Sequence, residues 1–218
     1  MKTRIIAVRH AQSEGNLLSE FHGHYNSDIT ETGIIQAQCT AELLKDVHID
    51  MAYSSDIKRA YHTSCIIAEK HKGLSVIKDS FLREIKGGEW ERRTFADIEK
   101  MYPKEHHAWM HNLANFVCPG GESVKDLAFR INKAFERIAR ENAGKTVLVG
   151  THATPLRCMG CIWKRKPLEE IVNLEWVPNA SVSVVDYDSD TLEFDLLAYA
   201  YSEHLEKAGL FTVLPKNI

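Results

Sequence analysis

Residues 5–16, IIAVRHAQSEGN, decide the fold. Ile5, Ile6, Ala7 and Val8 form a continuous apolar run too short for a helix, the pattern of a strand buried on both faces. The run stops at Arg9-His10, and small and polar residues follow. Ligands gather beyond the carboxyl ends of strands in open α/β sheets, so a guanidinium and an imidazole aimed out of such an end mark a site. Residues 146–153, TVLVGTHA, repeat the design: an apolar strand runs into Gly150-Thr151-His152-Ala153. If the two strands are parallel neighbours, His10 and His152 emerge side by side.

Working outward, strands alternate with helices. The first strand covers residues 4–8. Thr30 is a helix N-cap, and the helix runs to about 47 with Ile34, Ile35, Ala37, Ala41 and Leu44 inward. Residues 50–54 form a second strand, and Ser55 or Asp56 caps a helix to about 71. A third strand spans 74–78. Helices are expected over 94–101, where Tyr102-Pro103 intervenes, and over 104–115. Ser123 and Asp126 resemble a capping box opening a helix to about 142. Pro155 falls in the first turn of the helix after His152. Residues 180–187 and 192–198 flank an Asp-Ser-Asp turn as a hairpin. The expected fold is a three-layer α/β/α sandwich with a mostly parallel, mixed sheet. It forms one domain over 1–218, with a helical lid insertion at about 90–125.

The net charge of −3 argues against a nucleic-acid binder or an anionic-membrane binder. No apolar stretch approaches membrane-spanning length, and the N-terminal run is too short for a signal peptide. Five scattered cysteines fit a reduced, cytoplasmic setting. Cys158 and Cys161 lie on a helix that needs an apolar face, so core packing outweighs a metal or redox role. His106, His107 and His111 lack the glutamate of a zinc-binding helix motif and fit a solvated or lid helix. Residues 186–190, DYDSD, lack the glycine and distant glutamate of a calcium loop and fit a hairpin turn.

Four segments supply the chemistry: Arg9 and His10, His152, Arg59 in the first turn of its helix, and Glu84 in LREIKGGEW. Guanidinium forks match tetrahedral oxyanions. A neutral histidine is a nucleophile, a second histidine can donate to an oxygen, and a carboxylic acid can protonate a leaving oxygen. Phosphoryl transfer needs this set.

RHAQSEGN resembles the signature of the histidine phosphatase superfamily, the phosphoglycerate mutase-like proteins. DITETGIIQA, SSDIKRAYHTS, LREIKGGEWERRTFADIEKMYP, PGGES and GTHATPLR are similar to that family's later segments, in order. The resemblance implies that His10 becomes phosphohistidine. Arg9, Arg59 and His152 would hold the phosphoryl group, and Glu84 would act as general acid and then base. Asn16, His22, Ala153 and Arg92 are the expected substrate-binding positions. No metal or other cofactor is implied, because arginines neutralise the charge. The expected partner is a small phosphorylated metabolite, and a homodimer is an open assembly.

Ala11 and Ala153 stand where the family usually has glycine, and His22 where relatives often place glutamine or threonine. Arg92 replaces a common glycine, and facing the pocket it would favour an acidic substrate. The leading expectation is a phosphatase. A cofactor-dependent phosphoglycerate mutase is the alternative, kept open by Arg92, Arg93, Lys100 and Lys104. A catalytically inactive phosphate-binding scaffold is the alternative of another class.

Overall fold

A computed structural model describes residues 1–211; residues 212–218 of the expected single domain lie outside the described part. Six strands form the central sheet: β1 (Lys2–Arg9), β3 (Met51–Ser54), β4 (Val76–Lys78), β6 (Thr146–Thr151), β7 (Val182–Asp188) and β8 (Glu193–Tyr201). Their order is β4-β3-β6-β1-β7-β8. The first four are parallel, and β7 runs antiparallel to both β1 and β8. The sheet is therefore mixed and mostly parallel, as the patterning requires.

Period-two alternation divides the core into two layers. Ile5 and Ala7 pack into one cluster with Val147, Val149, Leu127, Ile131 and Leu156. Ile6 and Val8 pack into the other with Leu148, Ala41, Leu44 and Ile67. The first cluster holds α6 (Val124–Glu141) and α7 (Ala153–Trp163) on one face of the sheet. The second places α2 (Glu31–Leu44) and α3 (Lys58–Ala68) on the other.

The caps explain most boundaries. Thr30 Oγ1 accepts from Gly33 N–H at 3.1 Å, and Ser123 Oγ from Asp126 N–H at 3.0 Å. Three expectations shift. Ile35 is 49% exposed, because Gly33, Gln36, Ala37, Thr40 and Ala41 form the buried stripe of α2. The helix after β3 begins at Lys58, capped at Ile57 rather than at Ser55 or Asp56. The helix expected over 104–115 is α5 (Pro103–His111), and the chain then tightens into a 3-10 turn at Leu113–Asn115.

Periodicity does not reveal the short elements that frame the site. These are α1 (Glu14–Leu18) and the two-residue ladder of β2 (Glu20–Phe21) with β5 (Arg93–Thr94). The ladder ties the first loop to α4 (Phe95–Met101) and α5. Trp90, Trp109, Phe116 and Phe21 meet there in edge-to-face and tilted pairs 4.9–6.0 Å apart. The last helix among the described residues is α8 (Glu203–Lys207). No helix among the described residues is long and apolar enough to cross a membrane.

Candidate active site

Register alone brings the two histidines together. β1 and β6 are parallel neighbours with Arg9 opposite Thr151, so the next residues, His10 and His152, leave the sheet side by side. Their rings lie 5.2 Å apart. β3 flanks β6 on the other side, and its exit residue Ser55 sets its Oγ 2.9 Å from His152 Nε2. Among the described residues, His152 Nδ1 is buried without a partner.

His10 Nδ1 sits 2.7 Å from the Ala11 carbonyl. A carbonyl only accepts, so Nδ1 carries the proton and Nε2 keeps its lone pair. Burial, then the charges of Arg59 and Arg9, hold the His10 pKa well below its ordinary 6.5. Burial and Arg59 do the same at His152. Both imidazoles are neutral at pH 7.

Two guanidinium groups share this floor. Arg9 Nη1 donates to the Val177 carbonyl at 2.6 Å, and its Nε is buried without a partner among the described residues. Arg59, 2% exposed, donates to the carbonyls of Gly23 and Tyr25 at 2.8 and 2.9 Å. Gly23 holds φ +48, and an added Cβ would lie 2.7 Å from both Gly87 N and Glu91 Oε1, so the turn that offers this carbonyl suits glycine. Neither arginine forms an ion pair among the described residues. Burial lowers both pKa values to about 10, opposed by the charge of Glu84. Each remains a full cation at neutral pH, an uncompensated charge that favours a bound anion.

Glu84 follows the 3-10 turn at Ser80–Leu82. Its Oε1 accepts from Ile85 N–H at 2.8 Å and its Oε2 from Thr154 N–H, in the first turn of α7, at 3.3 Å. His24 Nε2 and Arg130 Nη2 donate to its backbone carbonyl, and Arg130 pairs with Glu122 at 2.8 Å.

These groups line a cavity of about 310 Å³. Arg9, His10, Asn16, His22, Arg59, Glu84 and Ala153 all line it; His152, expected to hold the phosphoryl group, does not, being fully buried beside His10. Phe21, Phe95, Trp109, Met110, Val172, Leu174 and Trp176 form its apolar side. Asn16 Oδ1 accepts from Ser13 N–H at 3.1 Å and from Asn179 Nδ2 at 3.0 Å, which leaves its NH2 for a ligand. His22 is engaged by Ser27 Oγ at 2.6 Å and Glu20 Oε2 at 3.1 Å. An added Cβ at Gly15 would fall 2.0 Å from the His22 ring, so glycine there lets the imidazole in.

This is the framework of a known family. The sequence matches the histidine phosphatase superfamily (branch 1) over residues 5–199. The chain belongs to that superfamily. Phosphoserine phosphatase 1 of Hydrogenobacter thermophilus is 33% identical over 182 residues, covering 84% of this chain and 85% of that protein. Phosphoglycerate mutase-like protein 4 of Arabidopsis thaliana is 32% identical over 94% of this chain and 88% of its own. The structure of a mycobacterial glucosyl-3-phosphoglycerate phosphatase superposes with a TM-score of 0.81 at 26% identity, covering 93% of this chain and all of that one.

Against the superfamily's pattern, the two alanines are accommodated without strain. Neither Ala11 nor Ala153 holds a positive φ. Ala11 is fully buried among Ile29, Ala37 and Ala180, so its methyl points away from the cavity.

Arg92 does not face the cavity. It adopts φ +66, and its guanidinium lies 4.8 Å from the Tyr25 ring, beside a shallow groove lined by Glu14, Leu17 and Glu20. The β2–β5 ladder turns it outward, because Arg92 N–H is held by the Phe21 carbonyl at 2.9 Å.

Other contributors carry no site role in the sequence patterns. Asn179 Nδ2 donates to the His10 carbonyl at 3.0 Å, Thr63 Oγ1 accepts from Ala11 N–H at 3.0 Å, and Ser55 engages His152. Asn179, a polar residue just before the hairpin, offered a usable signal. Thr63 and Ser55 offered none beyond their place near Arg59.

The remaining histidines and cysteines do not enter the site. Cys158 and Cys161 are buried free thiols. His107 and His111 stack 4.4 Å apart on the outside of α5. Among the described residues no three His, Cys, Asp or Glu side chains are grouped to hold a metal ion.

Proposed function

We propose that the protein is a phosphatase that hydrolyses small phosphate monoesters through a phosphohistidine at His10, without a metal. The observation that carries this reading is the pair of buried, carbonyl-bound guanidinium groups flanking a neutral imidazole whose Nε2 is unprotonated. Arg9 and Arg59 hold the phosphoryl oxygens and spread their charge as the reaction proceeds, and His152, held off the cavity by Ser55, stands beside the nucleophile. His10 Nε2 attacks phosphorus in line, the P–O ester bond breaks, and the Glu84 carboxyl gives its proton to the departing oxygen. Water then attacks the phosphohistidine as the Glu84 carboxylate accepts a proton, the P–N bond breaks, and inorganic phosphate leaves.

The placement of the outer cations favours hydrolysis over mutase chemistry. Arg92 lies on Tyr25, Arg93 donates to the Glu89 carbonyl at 2.7 Å, and neither lines the cavity, nor do Lys100 and Lys104. The phosphatase names of two relatives point the same way.

Turnover of p-nitrophenyl phosphate with EDTA present tests the reading, and undiminished phosphate release is expected. Phosphoglycerate exchange that needs added 2,3-bisphosphoglycerate, without release, would replace it with a mutase. Glu84→Gln is expected to slow alkyl phosphates about 100-fold or more and p-nitrophenyl phosphate much less, because a good leaving group needs little protonation. Equal losses would remove Glu84 from the acid role.

A further inference from the structure

Glutamine is mostly an exposed residue, yet Gln36 lies fully buried in the inner stripe of α2. A buried amide needs hydrogen bonds at both ends, and this one has them. Its Oε1 accepts from Gln12 N–H at 2.8 Å, and its Nε2 donates to the Leu210 carbonyl at 2.8 Å. An N–H on one side and a carbonyl on the other fix which end is oxygen.

The Gln12 N–H shares one planar peptide with the Ala11 carbonyl, the group that accepts from His10 Nδ1 at 2.7 Å. In a trans peptide the carbonyl and the N–H point in opposite directions, so a bond at one end orients the other. Helix α2 grips the next peptide as well: Thr30 N–H donates to the Gln12 carbonyl at 2.9 Å. Gly33 lets the helix come this close, since an added Cβ would fall 2.2 Å from that carbonyl oxygen. The donors all run one way, from His10 Nδ1 through the peptide and Gln36 to Leu210. Hydrogen bonds aligned in this way polarise one another. An imidazole that attacks through Nε2 must carry its proton on Nδ1.

We infer that Gln36 is a positioning residue for the nucleophile: it holds the Ala11–Gln12 peptide so that the carbonyl keeps the proton of His10 on Nδ1 and the Nε2 lone pair free for phosphorus. The inference rests on the phosphatase reading. Gln36 does not line the cavity and acts only through this peptide.

The test replaces Gln36 in the full chain and reads the tautomer of His10 together with kcat. Gln36→Met fills nearly the same volume and makes neither bond. Histidine nitrogen NMR at neutral pH, with His10 assigned by its loss in His10→Ala, is expected to show a protonated Nδ1 in the wild type and mixed tautomers in Gln36→Met. The kcat for p-nitrophenyl phosphate should fall about tenfold or more, with KM within about twofold. Gln36→Glu, which keeps an oxygen opposite Gln12 N–H, should restore part of both. A merely structural role would lower the melting temperature and leave the tautomer alone. A Gln36→Met variant that keeps the Nδ1 proton, or keeps kcat, overturns the inference. If that variant does not fold, Gln36→Asn, one methylene too short to reach Gln12, is read in the same way. Failure of the wild type to release phosphate from any ester sinks the phosphatase reading. The tautomer then decides for Gln36 alone: a mixture in the variant supports its hold on His10, and an unchanged Nδ1 proton ends it.

Discussion

The cavity has a floor and a wall, and they are built differently. The floor consists of strand exits: His10 after β1, His152 after β6 and Ser55 after β3, with Arg59 at the start of α3. Its cations are held by backbone carbonyls, and its imidazoles by a carbonyl and a hydroxyl. The wall consists of rings and apolar side chains from β2, α4, α5 and the segment before β7, held by edge-to-face contacts. The floor is ordered by sheet register and by directional bonds to backbone carbonyls and a hydroxyl. The wall depends on packing, which tolerates exchange of shape. Under the proposed function, reaction chemistry belongs to the first region and substrate choice to the second, with Arg157 and Trp176 where the two meet.

The sharpest test of this division is His10→Ala. Turnover of every ester should fall about 10³-fold or more, because no other floor group replaces the nucleophile. Steady-state assays check this, and selective loss for some esters would break the division. Trp109→Ala probes the wall: KM for aryl phosphates should rise severalfold while kcat changes little. The thermal melt should show destabilisation of about 2–3 kcal/mol from the lost ring contacts. A fall in kcat alone would place Trp109 with the chemistry.

The floor should also set the pH dependence of stability. His10 and His152 are held neutral in the folded chain, well below 6.5, whereas in the unfolded chain they protonate as pH falls through about 6.5. The unfolded state then binds more protons, so stability falls as pH drops from 7 toward 5. Melting temperatures across this range check the sign, and His152→Ala should flatten the slope. A slope unaltered by that substitution would place the burden elsewhere.

The smallest effect belongs to Arg92→Gly. Relief of the positive φ and loss of the Tyr25 contact nearly cancel, so stability should move by no more than about 1 kcal/mol. Activity should stay within about twofold. A larger change would bring the outer groove into the site.

Local patterns carried most of the architecture. The apolar runs at 5–8 and 146–149 located the neighbouring central strands, and Thr30 and Ser123 marked the starts of their helices. The same runs, each ending in a histidine, announced the floor. The ladder between Glu20–Phe21 and Arg93–Thr94 left no periodic trace, because two residues are too few to show alternation. For that reason the outward turn of Arg92 was hidden.

The amino-acid sequence by itself determined the long strands and helices and which reactive side chains stand at their ends, since strand periodicity and helix capping act over a few residues. Tertiary structure alone decided that Arg157 and Arg9 share one indole, that Arg92 leaves the cavity, and that Phe95 and Trp109 line it. Those outcomes depend on contacts between segments far apart in the chain, and no short-range pattern encodes a distance across the fold.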